Sequence, residues 1–179
     1  PSWELAERCD ALDQTAIFCS FSKVTFGGGG LSFAAAGKKL FTLLEQQRAS
    51  MIVCSDKVNQ LRHTQFLKNK DEVLNHMRKH AELVKPKFEI AFNALDSISS
   101  EIGNYKKPSG GYFISYNTTK PIAKRVIALC KEAGVLITPA GSTYPHFNDP
   151  EDSNIRLAPT FLGVEDLREA MEVFTTALE

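Results

Sequence analysis

The chain has 179 residues, 43% of them hydrophobic, with 21 basic against 21 acidic side chains and a formal net charge of zero. This suffices for one compact domain with its own core, excludes a disordered chain, and gives no reason to expect nucleic acid or an anionic membrane as a partner. No apolar run approaches the roughly 20 residues that a membrane-spanning helix needs, and the N-terminus lacks a signal peptide's basic and apolar regions.

In chain order, Leu5, Ala6, Cys9 and Leu12 recur at helical spacing, so a short helix is predicted from Trp3 to Leu12. Thr15–Ser20 and Leu31–Ala36 are short apolar runs that read as adjacent strands of a mainly parallel or mixed sheet. Lys38–Ser50 and Asp56–Phe66 read as helices. Asp71–Ile98 is the longest periodic segment, with Val73, Leu74, Met77, Ala81, Val84, Phe88, Ala91, Phe92 and Leu95 as a buried stripe. Pro86 inside it predicts a kink or a break. From about Gly103 the pattern changes. Gly111–Tyr116 is a predicted strand, Pro121–Ala133 a helix ended by Gly134, and Val135–Thr138 and Ile155–Leu157 short strands. A polar loop fills 141–153, and Val164–Leu178 closes the sequence as an amphipathic helix. Cys9, Cys19, Cys54 and Cys130 form no C-x-x-C pair. They read as reduced thiols of a cytoplasmic protein, with a disulfide the minor alternative.

The stretch that carries chemistry is Cys19-Ser20-Phe21-Ser22-Lys23-Val24-Thr25-Phe26, followed by Gly27 to Gly30. Hydroxyls and loop N–H groups at a strand end can receive an anion, and a desolvated lysine beside them supplies the neutral amine that forms a Schiff base. Strand alternation puts Ser20 and Ser22 on one side, suited to a shared anion. Four glycines cost about 1 kcal/mol each relative to alanine in regular structure, which close backbone approach to a phosphate would explain. The plain alternatives are a lysine snorkelling into solvent, hydroxyls facing water, and a simple hairpin.

Ser-Phe-Ser-Lys before a glycine turn resembles the pyridoxal phosphate (PLP) lysine segment of fold-type I aminotransferases, and more closely the bacterial group related to MocR-type regulators. Three later stretches fit in order. Lys107–Phe113 resembles the "P-x-G-G-Y-F" strand entry, Gly134–Gly141 the "G-V-x-x-x-P-G" strand and turn, and Asn154–Pro159 the "I-R-L" strand. The resemblance runs from about Thr15 to the last residue. It implies an α/β chain that is the C-terminal part of a PLP-transferase-like fold: the end of the large-domain sheet over 1–70, a long connecting helix over 71–100, and a small α+β subdomain over 101–179.

The resemblance further implies that Lys23 holds PLP as a Schiff base and moves a proton, that Ser20 and Ser22 bind its phosphate, and that Arg156 binds the substrate's α-carboxylate. Substrates would be an amino acid and a 2-oxo acid, and the full-length protein a homodimer. One departure is that many relatives place a phosphate-pairing arginine where Leu31 or Ser32 stands here. Arg156 could instead form a structural salt bridge with Glu165 or Asp166. His76 and His80, one turn apart, could bind metal, but the intervening Met77-Arg78-Lys79 lacks a zinc-protease glutamate. The basic character from Arg62 to Lys87 reads as a solvated helix face. Tyr144, His146 and Asn148 either line a substrate entrance or form an ordinary loop.

In such enzymes an acid at the pyridine nitrogen, a stacking ring and a second phosphate site lie well upstream, yet only 22 residues precede Lys23. The isolated chain is therefore expected to bind PLP weakly, if at all. The alternative function is a PLP-binding effector domain of a MocR-type transcription regulator, sensing ligand without turnover.

Overall fold

The computed structural model describes residues 2–179, and the chain divides into two compact units between His80 and Ala81. A single domain was the expectation from length. The apolar burial is instead uneven, and almost all of it falls in the second unit.

In the first unit, α1 (Ser2–Arg8) and a 3-10 turn at Leu12–Gln14 lead into β1 (Ala16–Ser20), which pairs with β2 (Ser32–Ala36). The two runs are adjacent strands as expected, and the pairing is antiparallel, with Ala16 opposite Ala36 and Ser20 opposite Ser32, not the parallel arrangement that a mainly parallel sheet would give. The reason is the connection: residues 21–31 are too few for the crossover that parallel neighbours require. Helix α2 (Lys38–Met51) follows, then α3 (Lys57–Phe66), which begins where Asp56 caps it by accepting from the Asn59 N–H at 2.9 Å. Phe18, Phe33, Leu43, Val58 and Leu61 remain exposed in this unit.

Helix α4 (Lys70–Asp96) is continuous through Pro86 and passes from the first unit into the second. Of the expected kink or break, no break occurs. Proline removes the bond to the carbonyl four residues back, here that of Glu82, and its ring crowds that carbonyl; both residues lie on the exposed side, where water can replace the lost bond. The predicted stripe is buried only in part. Phe88, Ala91 and Leu95 enter the core, whereas Leu74 and Met77 are 42% and 41% exposed.

The second unit is a three-stranded antiparallel sheet in the order β3-β4-β5, with β3 at Gly103–Tyr105, β4 at Ile114–Thr118 and β5 at Asn154–Leu157. Its apolar face buries Ile114, Tyr116, Ile155 and Leu157 against α5 (Ala123–Glu132) and α6 (Val164–Leu178). α6 contributes Leu167, Met171, Phe174 and Leu178, one side of a helix whose limits match the predicted ones. α5 ends in a Schellman turn: Gly134, at φ +88°, donates to the Lys131 carbonyl and Val135 to that of Cys130.

The segment 135–138 is not a strand. Val135 and Ile137 pack on the core and Leu136 faces out, so the alternation is present, but the segment lies outside both sheets. Strand β3 had no sequence signal; Gly103 and Asn104 are poor strand formers, and pairing to β4 supplies the order.

Candidate functional site

β1 ends at Ser20, but the ribbon continues one step, with the Phe21 N–H donating to the Leu31 carbonyl at 2.8 Å. The backbone then turns. The amides of Val24 and Thr25 both donate to the Phe21 carbonyl, at 2.9 and 3.0 Å, so Lys23 sits within a turn and not on the strand. Strand alternation is therefore not what joins the two serines. The turn folds Ser22 back until its hydroxyl lies 2.7 Å from that of Ser20, whose oxygen also accepts the Ser22 N–H at 3.1 Å. Both hydroxyls and the lysine are exposed, and among the described residues Lys23 makes no ion pair.

The glycines answer two different needs. Gly28 adopts φ +76°, where a side chain is strained. At Gly30 a Cβ would lie 2.1 Å from Ser22 Oγ, so only glycine lets the loop close over the serine pair. Two neighbouring hydroxyls, an adjacent primary amine and a backbone that approaches them without side chains are a donor set that fits the phosphate and aldehyde of PLP.

Helices α3 and α4 hold the loop from outside. Asn59 Nδ2 donates to the Gly30 carbonyl at 3.1 Å. His63, 3% exposed, places Nε2 at 2.8 Å from Thr25 Oγ1 and Nδ1 at 2.9 Å from the Asn59 carbonyl. His76 Nε2 donates to the Val24 carbonyl at 2.5 Å. Phe26 packs on His63 and Phe66, and Phe66 on His76, with ring centroids 5.1–5.2 Å apart. Arg62, expected on a solvated helix face, lays its guanidinium over the Phe26 ring at 5.6 Å, and its Nη1 would be 3.7 Å from a Cβ at Gly29. Arg62 thus brings a cation to the glycine loop, whereas Leu31 and Ser32, where many relatives place one, carry no charge. Sequence spacing marked none of these loop contacts. Among the described residues no three His, Cys, Asp or Glu side chains gather as a metal site.

Arg156 lies in the second unit, on the face of β5 opposite the core, directly across from Ser115 on β4. Its Nε is buried and, among the described residues, has no hydrogen-bond partner, while its Cζ stands 4.8 Å from the Phe113 ring centre. The salt bridge considered with Glu165 or Asp166 does not form; Glu165 pairs with Arg168 instead. Next to it, Asn154 donates to Ser115 Oγ and Asn117 Oδ1 and accepts from Thr143. Arg156 also borders an apolar cleft with Val135, Ile137, Leu162, Met171 and Phe174. A half-buried guanidinium with an unused donor, backed by an aromatic face, is suited to a carboxylate.

The chain aligns at 41% identity over 166 residues with the aspartate aminotransferase of Corynebacterium glutamicum, covering 90% of this chain and 38% of that protein. A solved aspartate transaminase from that organism superposes with a TM-score of 0.87 at 36% identity, over 98% of this chain and 42% of the other. Thermus thermophilus LysN, an α-aminoadipate aminotransferase complexed with N-(5'-phosphopyridoxyl)-L-leucine, shares the fold at a TM-score of 0.79 and 23% identity, over 98% of this chain and 44% of that one. A more distant match, 24% identical over 164 residues, 90% of this chain and 36% of the other, is the transcriptional regulator NorG of Staphylococcus aureus. The chain thus spans about two fifths of the length of its aminotransferase relatives, and its α/β architecture is that of the C-terminal part of their fold. The sequence profile of the aspartate aminotransferase family matches residues 4–179, and the chain belongs to that family.

Proposed function

We propose that this chain carries the lysine and the carboxylate-binding arginine of a PLP-dependent aminotransferase, which moves an amino group from an amino acid to a 2-oxo acid. The observation that carries the reading is the Lys23 turn, where an exposed amine directly follows two hydroxyls bonded to each other under a glycine loop. When bound, PLP supplies the aldehyde that joins the amine and the electron sink for proton removal at Cα. Lys23 provides the amine and afterwards carries that proton. Ser20 and Ser22 donate their hydroxyl protons to the phosphate, and Arg156 binds the substrate carboxylate. The LysN complex with a phosphopyridoxyl amino acid supports the choice of cofactor. In the full-length protein we expect a homodimer.

The relatives are more than twice as long as this chain. On this reading the remaining cofactor contacts lie outside the 179 residues, and the isolated chain binds PLP weakly, if at all, and has no turnover. Visible cofactor absorbance that survives gel filtration of the isolated chain would contradict that. The identity to NorG favours a second reading, ligand sensing without turnover, more weakly than 41% identity to a transaminase favours the first.

The test is borohydride reduction of the intact PLP-loaded protein followed by peptide mass mapping, beside an assay of transamination. The pyridoxyl mass should fall on Lys23, and Lys23→Ala should lower turnover by more than about a hundredfold. A mark on another residue would overturn the assignment of the lysine. A mark on Lys23 with no turnover for any amino acid would select the sensing function.

A further inference from the structure

Among the described residues Lys23 makes no ion pair, yet the backbone on both sides of it is held. On the N-terminal side the β1–β2 ladder runs to the Phe21–Leu31 bond. On the C-terminal side three side chains from two helices grip the loop: His76 at the Val24 carbonyl, His63 at the Thr25 hydroxyl and Asn59 at the Gly30 carbonyl. We propose that His63 and His76 are positioning residues that fix the Lys23 turn, and that as uncharged rings they do so in opposite tautomers. The functional consequence rests on the role assigned to Lys23 above; the clamp itself does not.

The tautomers follow from what each ring nitrogen faces. His63 Nδ1 lies against the Asn59 carbonyl, which only accepts, so Nδ1 carries the proton. In the neutral ring Nε2 is then an acceptor, and its partner must be the Thr25 hydroxyl proton. That hydroxyl has one alternative acceptor, the Phe21 carbonyl at 3.2 Å. This carbonyl already takes the amides of Val24 and Thr25, so the proton goes to His63. His76 has the reverse arrangement, since Nε2 faces the Val24 carbonyl and must be the protonated nitrogen. The rings cannot easily rotate out of these roles. Phe26 is wedged against His63 and Phe66, and Phe66 against His76, and His63 is nearly sealed from water. A turn fixed two residues beyond the lysine restricts the direction in which its side chain leaves the backbone, which is what an amine that must meet one aldehyde requires.

The experiment uses the intact protein. Long-range proton–nitrogen correlation spectra at alkaline pH should show His63 protonated at Nδ1 and His76 at Nε2. His63→Phe keeps a ring beside Phe26 but deletes both hydrogen bonds. It should speed amide exchange at Val24 and Thr25 by about tenfold, the scale of one lost hydrogen bond, and slow PLP and borohydride labelling of Lys23 by a similar factor. His63→Gln, which can still reach Thr25, should recover most of both. A wild-type His63 protonated at Nε2 would overturn the proposal, as would a His63→Phe variant with unchanged exchange and labelling. If that variant does not fold, the wild-type tautomers still decide. If Lys23 takes no mark even in the wild type, the proposed function fails, whereas the exchange and tautomer measurements still judge the clamp.

Discussion

Replacing Gly30 by alanine tests the closure of the loop over the serine pair. A Cβ at position 30 would stand 2.1 Å from Ser22 Oγ and 2.7 Å from both Cα and Cβ of Ser22. Rotating the hydroxyl away does not remove the clash, because one of those atoms is backbone. The loop or Ser22 must shift by about 1 Å, a change that costs ~1–3 kcal/mol. The displaced residue is the one bonded to Ser20, so the hydroxyl pair should open and cofactor affinity fall together with stability. Two neighbouring glycines serve as controls. Around Gly27 nothing lies within 4 Å of a Cβ and φ is not positive, so alanine should be neutral or stabilise by about 0.4–1 kcal/mol by restricting the unfolded chain. Gly28 is equally open but sits at φ +76°, so alanine there should cost about 1–2 kcal/mol through backbone strain alone. Urea unfolding and PLP titration of the three variants in the intact protein give the comparison. Equal stability of Gly27→Ala and Gly30→Ala, or wild-type cofactor affinity in Gly30→Ala, would refute the reasoning.

Three further perturbations probe the second unit. Asp149 accepts the backbone N–H groups of Glu151, Ser153 and Asn154 at 3.1, 2.9 and 2.8 Å. Burial alone would raise its pKa, but the amides of Asn154, Ser153 and Glu151, with Lys124 nearby, outweigh burial and hold the carboxyl below its ordinary 3.8. A lowered folded-state pKa stabilises above the unfolded value and is lost as pH falls through the folded one. Asp149→Asn should therefore cost ~1.5–3 kcal/mol at neutral pH. The gap to wild type should shrink below about pH 3.8, measured by urea unfolding across pH. If Arg156 binds a substrate carboxylate as proposed, Phe113→Ala, which removes the ring behind it, should raise KM for an amino acid in the intact protein severalfold while thermal stability changes little; a fall in kcat alone would argue against a binding role. Gly103→Ala would press a Cβ to 2.5 Å from Tyr116 Oη and 2.6 Å from the Asn117 carbonyl. It should lower stability by about 2–3 kcal/mol in thermal unfolding.

Helix limits were legible in both units, since α2, α3 and α6 lie within one residue of the limits that periodicity predicts. The glycine that ends α5 follows from its C-terminal signal, and Ile155 and Leu157 lie buried in the short strand that their apolar run predicts. Where a long-range partner was needed, sequence reading went astray. The alternation of 135–138 says which side chains face the core, not whether a neighbouring strand exists to bond them. The direction of β2 was decided by the length of the connection and not by the apolar runs it joins.

The lysine turn shows the same division at the level of chemistry. Ser20, Ser22, Lys23 and the glycines stand within eleven residues, so their juxtaposition is readable from order alone. The residues that hold them are 29, 38 and 52 positions removed from their partners. No local rule connects a histidine to a carbonyl at such a distance. Spacing even misleads: His76 and His80, one helical turn apart, invite a metal reading, whereas His76 spends its Nε2–H on the Val24 carbonyl beside the lysine. On the proposed reading, such long-range bonds, absent from any motif, set where the motif's amine points. A substitution in α3 or α4 that leaves Ser-Phe-Ser-Lys intact should therefore impair the lysine as surely as a change within the motif itself.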